Sequence, residues 1–209
     1  MLPLSTNLTY IMKKITLLLL CLIVSSPLLS QTFEFGPSVQ YHRTAFQFDD
    51  EDEIIISDYG ISEGTKVTEA DSNIAFGGYA AYYTENTFAY IAELFYVTTS
   101  SPNYGNNKFN SINLIPSVAA EMFNSNLFIN AGLGAGFLLN KPDFEDIKDV
   151  EGKDYSSVDI LLKLALNYRI KNVLTIDGGA LFGAIDIVDE QHRFHYYLGA
   201  RVPLNVLIK

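Results

Sequence analysis

Three histidines, His42, His192 and His195, are the side chains of this sequence best suited to metal binding or proton transfer. His192 and His195 stand in the stretch "HRFH", and positions three apart on a β-strand point to opposite faces. Neither an HExxH motif nor a pair of cysteines accompanies them. We therefore predict no metal site and no cofactor.

A serine–histidine–acid group is the other chemistry that His195 could serve. Ser156 or Ser157, with an acid of "DIVDE", would supply its remaining members, as in a lipid-modifying hydrolase. Serines and acids are common in any polar loop, so this combination has little specificity. We predict that the protein is not an enzyme and keep the hydrolase as a less favoured alternative.

Charged side chains inside apolar stretches are the second group of candidates. In "VDILLKLALNYRI", Val158–Ile170, the residues Asp159, Lys163 and Asn167 are spaced four apart. This spacing fits a polar stripe on a helix and equally one face of a strand, so periodicity alone does not decide between them. The elements around the stretch have to decide it.

Eight runs with alternating apolar and polar character follow the N-terminal region, each rich in Tyr, Phe, Ile, Val and Leu. The runs cover residues 32–46, 73–84, 88–98, 109–123, 127–139, 158–170, 173–185 and 194–208. The connections after the second, fourth and sixth runs are short ("ENT", "NSN", "KN"), and the others are longer and polar. The stretch "EIIIS" in the first long connection predicts that the first hairpin continues beyond the barrel.

Short connections at one end and long connections at the other are typical of membrane barrels with an even number of strands. We predict an all-β fold, an eight-stranded antiparallel up-and-down transmembrane β-barrel preceded by a signal peptide. A secreted lipocalin-like binding barrel stays open, because alternation alone does not say which face is inside. Pro37, Pro116 and Pro203 cannot donate to the ladder and predict bulges or strand ends.

One face of each run is almost free of charge, which predicts that the other face lines the interior. Buried charges are expensive unless paired, so we predict acid–base pairs between neighbouring strands. In the hairpin formed by the sixth and seventh runs, Lys163 and Asp177 should face each other to within one or two residues. The predicted interior charge network comprises Glu34, Glu93, Glu121, Asp159, Lys163, Arg169, Asp177, His195 and Arg201.

The N-terminus has the layout of a secretory signal peptide: two lysines, an apolar run over residues 15–24 and then small residues. The run is too short to span a membrane as a helix. We predict Met12 as the natural start, cleavage after Ser30, and two parts: an extension with its signal peptide (1–30) and the barrel (31–209). Cys21, the only cysteine, would leave with the signal peptide, so the mature chain would have no disulfide.

Net charge limits the possible partners. The formal charge is −10, which argues against nucleic acid. The acidic stretches "DDEDE" and "DFEDIKDVEGKD" lack the ligand spacing of a calcium loop, and we interpret them as solvated loops that could contact envelope proteins.

Three segments carry a family resemblance: "LLSQTFEFGPSVQYHR", "FINAGLGAGFLLN" and "YYLGARVPLNV". Together with the alternating loops they resemble the PorT-like outer-membrane β-barrel domain of Gram-negative bacteria. The resemblance implies an outer-membrane location, contact with lipid or lipopolysaccharide, and roles in secretion, adhesion or envelope stability. Many such barrels end on an aromatic residue, whereas this chain ends "NVLIK", which predicts that Val206 and Ile208 take that place in the last strand.

The function expected from these features is that of an integral outer-membrane protein, monomeric, with a structural or interaction role at the cell envelope and a lumen plugged by charge pairs. An accessory component of an envelope secretion or transport system is the alternative.

Overall fold

The computed structural model describes residues 33–57, 60–67, 70–84, 87–100, 108–140, 155–187 and 191–207, with the backbone alone for 47–57, 60–67, 191 and 207. The predicted signal peptide, its cleavage site and Cys21 lie outside these residues. Within the described part of the chain, no helix is long and apolar enough to cross a membrane.

The described residues form antiparallel strands and one short helix. In chain order these are β1 (Phe33–Ser57), β2 (Gly60–Val67), β3 (Asp71–Tyr83), β4 (Phe88–Ser100), β5 (Lys108–Met122), β6 (Leu127–Leu138), β7 (Val158–Ile170), β8 (Leu174–Gly183), β9 (Gln191–Arg201) and α1 (Leu204–Leu207). Consecutive strands from β3 to β9 pair with each other, and β1 pairs with both β3 and β9. Eight strands, β1 and β3–β9, thus close an antiparallel up-and-down barrel, as predicted.

The strand β2 lies outside this ring and extends the hairpin that "EIIIS" predicted. It pairs with the distal half of β1, from Gln47 opposite Val67 to Ser57 opposite Gly60. The register shifts between Asp50 and Ile54, which marks an irregularity in the hairpin.

The stretch Val158–Ile170 is a strand and not a helix, which answers the question its spacing posed. Asp159, Lys163 and Asn167 are buried, and the alternate residues such as Leu164 are exposed. Side chains of a strand point alternately to its two faces, so the four-residue spacing places all three polar groups on the inner face.

The connections also sort by end as predicted. Only three or four residues separate β3 from β4, β5 from β6 and β7 from β8, and the end of the barrel where these strand pairs meet is called the turn end below. Longer gaps separate β4 from β5, β6 from β7 and β8 from β9, and the end where these strands stop is called the loop end. In the short turns Phe123, Asn124, Lys171 and Asn172 have positive φ angles, which close the chain tightly.

Phe123 is an unusual residue for such a turn, because its φ is 58° and its side chain is 89% exposed. A left-handed conformation costs a non-glycine residue about 1–2 kcal/mol. We expect Phe123→Gly to raise the free energy of unfolding by about 1 kcal/mol, measured by urea titration in lipid vesicles. Ser125→Gly in the same turn, where φ is not positive, is the control and should lower it; an equal effect of both changes would contradict the strain at Phe123.

The last strand is shorter than predicted. β9 ends at Arg201, and residues 204–207 form α1, so Val206 does not end a strand and Ile208 lies outside the described residues. Pro203 has no backbone donor, and its carbonyl accepts the Val206 N–H at 3.3 Å, which turns the chain into a helix. The Asn205 side chain accepts the Phe35 N–H at 3.1 Å and holds this turn against β1.

The other two prolines lie within strands. Pro116 leaves a gap in the β5–β6 ladder between Leu114 and Ser117, and the pairing resumes in the same register, so the predicted bulge is absent there. The Pro37 carbonyl accepts the Val202 N–H at 3.1 Å, and the β1–β9 ladder begins one residue later.

Candidate functional site in the barrel interior

Ion-paired side chains line the inside of the barrel. Four basic and four acidic residues pair there, so their formal charges balance. They are Lys163, Arg169, Arg193 and Arg201 with Glu34, Glu93, Asp159 and Asp177. They form three groups along the axis: one near the loop end, one in the middle and one near the turn end.

The middle group, called the central cluster below, joins Lys163, Arg201, Glu93 and Asp177. Lys163 Nζ donates to Glu93 and lies 3.9 Å from Asp177 Oδ2. Arg201 places Nη1 3.9 Å from Glu93 Oε1 and Nε 3.7 Å from Asp177 Oδ1. All four side chains are at most 1% exposed, so each charge depends on the others for compensation.

The loop-side pair is Arg193 with Asp159. Arg193 donates through Nε (3.0 Å) and Nη2 (2.9 Å) to Asp159 Oδ2, and through Nη1 to Ser111 Oγ (3.3 Å). Two glycines make room for it, since an added Cβ would lie 2.9 Å from Arg193 Nη2 at Gly136 and 2.7 Å from Asp159 Oδ2 at Gly183. The small residues of these inner faces thus create the space that the pair occupies.

The turn-side pair is Arg169 with Glu34, which are hydrogen-bonded. The Arg169 guanidinium also lies over the Tyr83 ring, 3.8 Å from its centroid, in a cation–π contact. Glu121, predicted to join the interior network, instead accepts the backbone N–H of Asn126 at 2.9 Å and stabilises the β5–β6 turn.

Buried apolar clusters also lie in the interior, one toward each end of the barrel. At the loop end Phe46, Phe109, Leu138 and Ile187 form a buried cluster against which Tyr155 packs. The Tyr155 hydroxyl donates to the Asn140 carbonyl at 2.8 Å. At the turn end the cluster comprises Tyr79, Ala81, Ala89, Ile91, Ala119 and Phe128, with Tyr83 packed against it.

Each of the three histidines has a hydrogen-bond or ion-pair partner. His195 Nδ1 is hydrogen-bonded to Thr44 Oγ1 at 2.8 Å inside the barrel, and its ring meets that of His42 edge to face at 5.5 Å. Ser156 is half-buried and donates to the Val158 carbonyl at 2.7 Å. Among the described residues no hydrogen bond joins Ser156 or Ser157 to His195. His192 pairs with Asp186 at 3.1 Å. Among the described residues no group of three ligating side chains could hold a metal ion.

The pairing pattern corrects two sequence predictions. Lys163 stands opposite Leu181, and Asp177 stands opposite Asn167. Lys163 is thus four residues along β7 from the position that faces Asp177, and the long lysine side chain bridges this distance. The predicted pairing of neighbouring strands holds only in part: Asp177 of β8 pairs with Lys163 of β7 and with Arg201 of β9. The contact of Lys163 with Glu93 joins β7 to β4, and that of Arg169 with Glu34 joins β7 to β1, so these two connect strands that are not neighbours. A narrow barrel brings opposite walls within reach of long side chains.

Arg193 and His42 are buried in the interior as well, although they are not in the predicted network. Arg193 lay just before the predicted start of the last run at residue 194, but β9 begins at Gln191, and alternation then turns Arg193 inward beside His195. Extending that run by three residues would have found it. His42 is buried and hydrogen-bonded to Gln40 at 2.8 Å, on the face opposite the outward Arg43.

No protein-family model matches the sequence and no curated protein matches it either, so the PorT-like resemblance stays a prediction. Solved structures with a similar fold include Ail, the attachment invasion locus protein of Yersinia pestis (14% identity, 79% of this chain, 96% of that chain, TM-score 0.43). Another is Neisserial surface protein A (13% identity, 81% of this chain, 97% of that chain, TM-score 0.43). A third is the N-terminal β-barrel domain of Pseudomonas aeruginosa OprF (12% identity, 80% of this chain, 97% of that chain, TM-score 0.37). At such low identities no residue role can be carried from these proteins to this chain.

Proposed function

We propose that this chain is an integral outer-membrane β-barrel with a structural or interaction role at the cell envelope. The observation that carries the proposal is the inverted polarity of the barrel wall. On β7, Leu164 is 48% exposed on the outside, while the adjacent Lys163 is 1% exposed on the inside. A soluble barrel has the opposite arrangement, which speaks against the lipocalin-like alternative.

The outer wall supports a lipid environment. The middle of every barrel strand has apolar outward side chains, and the polar ones, Ser72, Thr98, Asn110 and His192, lie toward the loop end. Formal charge among the described outward side chains is confined to Arg43 and to Lys108 at the loop end of β5. Aromatic residues lie toward both ends of this wall: Phe76, Tyr96, Phe182 and Tyr196 toward the loop end, and Tyr82, Phe88, Tyr90 and Tyr168 toward the turn end. An apolar band between two aromatic girdles is the pattern of outer-membrane barrels, and in water it would be a large exposed apolar surface.

A structural role is favoured over conduction by the contents of the interior. The charges inside balance, and buried apolar clusters share the interior with them toward both ends. Eight strands leave an interior that side chains fill. The acidic stretches "DDEDE" and "DFEDIKDVEGKD" of the sequence would then be the part of the protein available to envelope partners.

Folding in detergent and ion conduction in bilayers test this proposal together. Protein refolded in detergent micelles should give a β-type circular dichroism spectrum and a gel mobility that changes on heating. In planar bilayers it should give no steady single-channel conductance, because the interior is filled by paired side chains. A monomer that stays soluble without detergent would contradict the membrane assignment, and a stable open channel would contradict the structural role.

A further inference from the structure

Arg43 is a cation on the apolar outer wall. It lies on the outward face of β1, opposite Tyr196 of β9, and its side chain is exposed. Within the described part of the chain the Arg43 side chain makes no hydrogen bond and no ion pair. A charge at the edge of an apolar band is stabilised by an anion there, because lipid tails offer it no compensation.

The height of Arg43 on the wall is set by its distance along β1 from Phe35, which is exposed near the turn end. Eight residues at about 3.4 Å each span about 27 Å of strand, and a tilt of about 40° reduces this to about 20 Å along the barrel axis. The apolar band of such barrels is about 25 Å tall. Arg43 therefore lies near the loop-side edge of the band, where lipid headgroups begin.

An apolar groove of about 300 Å³ lies on the turn-end side of Arg43, and its nearest lining residue along β1 is Tyr41, two positions away on the same face. Val39 and Tyr41 of β1, Ile74 of β3, and Leu198 and Ala200 of β9 line it. Ala200 stands opposite Val39, and its small side chain leaves a depression between the larger ones. The Tyr41 hydroxyl is hydrogen-bonded to Ser72 Oγ at 2.6 Å, which fixes the tyrosine ring as one wall.

We propose that Arg43 and this groove, called the Arg43 groove below, bind one phosphate-bearing lipid of the leaflet at the loop end. The phosphate contacts the Arg43 guanidinium, and the first part of an acyl chain lies in the groove. The order of the two parts matches a lipid: the cation is at the headgroup level, and the apolar groove runs from it toward the middle of the band. This inference rests on the proposed membrane location and adds a specific lipid to it.

The test uses the full mature chain refolded into phosphatidylcholine vesicles with and without phosphatidic acid. Native mass spectrometry of protein extracted from the mixed vesicles should find retained phosphatidic acid on the wild type, and about five-fold less on Arg43→Gln. Lys108→Gln is the matched control, since it removes the other outward charge away from the groove, and it should retain the wild-type amount. Ala200→Leu fills the groove and should also reduce the retention of phosphatidic acid. If Ala200→Leu does not refold, Leu198→Ala, which removes one wall of the groove, takes its place and should reduce retention too.

The possible results separate this inference from the proposed function. Failure of the wild type to enter phosphatidylcholine vesicles would overturn the membrane location itself. Insertion with equal phosphatidic acid retention by wild type and Arg43→Gln would overturn the Arg43 groove alone, as would a loss of the same size in Lys108→Gln. Displacement of the lipid by inorganic phosphate, with no effect of Ala200→Leu, would leave only an anion contact at Arg43 and would overturn the acyl-chain part.

Discussion

Replacing Lys163 with leucine should lower the free energy of unfolding by about 3–5 kcal/mol, because it leaves Glu93 and Asp177 buried with one cation between them. Leucine fills a similar volume, so the loss reports the charge and not a cavity. Urea titration in lipid vesicles, followed by the gel mobility of unheated samples, measures the change. The same titration on Lys163→Leu combined with Glu93→Gln should recover part of the loss, since the second change removes one uncompensated charge.

Lys108→Leu is the control for this experiment, because Lys108 is exposed at the loop end of β5 and lies outside the central cluster. It should change the free energy of unfolding by about 0.5 kcal/mol or less. A Lys163→Leu variant as stable as the wild type would mean that the central cluster contributes nothing to holding the barrel together.

Replacing Gly179 with alanine should destabilise the barrel by about 3 kcal/mol, the upper part of the usual range for overpacking. Gly179 is on the inner face of β8, and an added Cβ would lie 2.2 Å from the Leu164 carbonyl oxygen and 2.7 Å from Ala165 Cα. Both atoms belong to the backbone of β7 and cannot rotate away. The β7–β8 ladder would have to open locally, and Lys163 and Asp177 lie on these two strands.

The adjacent glycine gives a matched control. Gly178 faces outward, where an added Cβ would meet the Leu198 side chain at 3.5 Å, an ordinary contact. Gly178→Ala should therefore stay within about 0.5 kcal/mol of the wild type. Equal yields of folded barrel from both variants in vesicles would show that β7 and β8 do not approach as closely as described.

The buried charges raise the question of what they contribute beyond stability. Buried ion pairs are often no more stabilising than apolar residues of the same volume. The central cluster draws its members from β4, β7, β8 and β9, so its contacts form only when these strands are in one register. Its cations and anions thus favour a single closed arrangement over slipped ones, in which buried charges would be unpaired.

The sequence by itself determined the local features of this protein. Alternation with a period of two assigned the faces of the strands, and the order of short and long connections predicted eight antiparallel strands. Lys163 and Asp177 were placed on the inner face correctly for the same reason: the direction of a side chain in a strand depends only on its parity. These properties depend on residues that are close together in the sequence, so a single sequence is enough to predict them.

Only the tertiary structure decided which interior residues meet. The partner of Lys163 is Glu93, seventy positions away in the sequence and on a strand that is not adjacent to β7. Such contacts depend on the stagger of all eight strands and on the closure of β9 against β1, which no single hairpin fixes. The same closure brings Ala200 and Leu198 of β9 beside Val39 and Tyr41 of β1, so the groove next to Arg43 exists only once the barrel is complete.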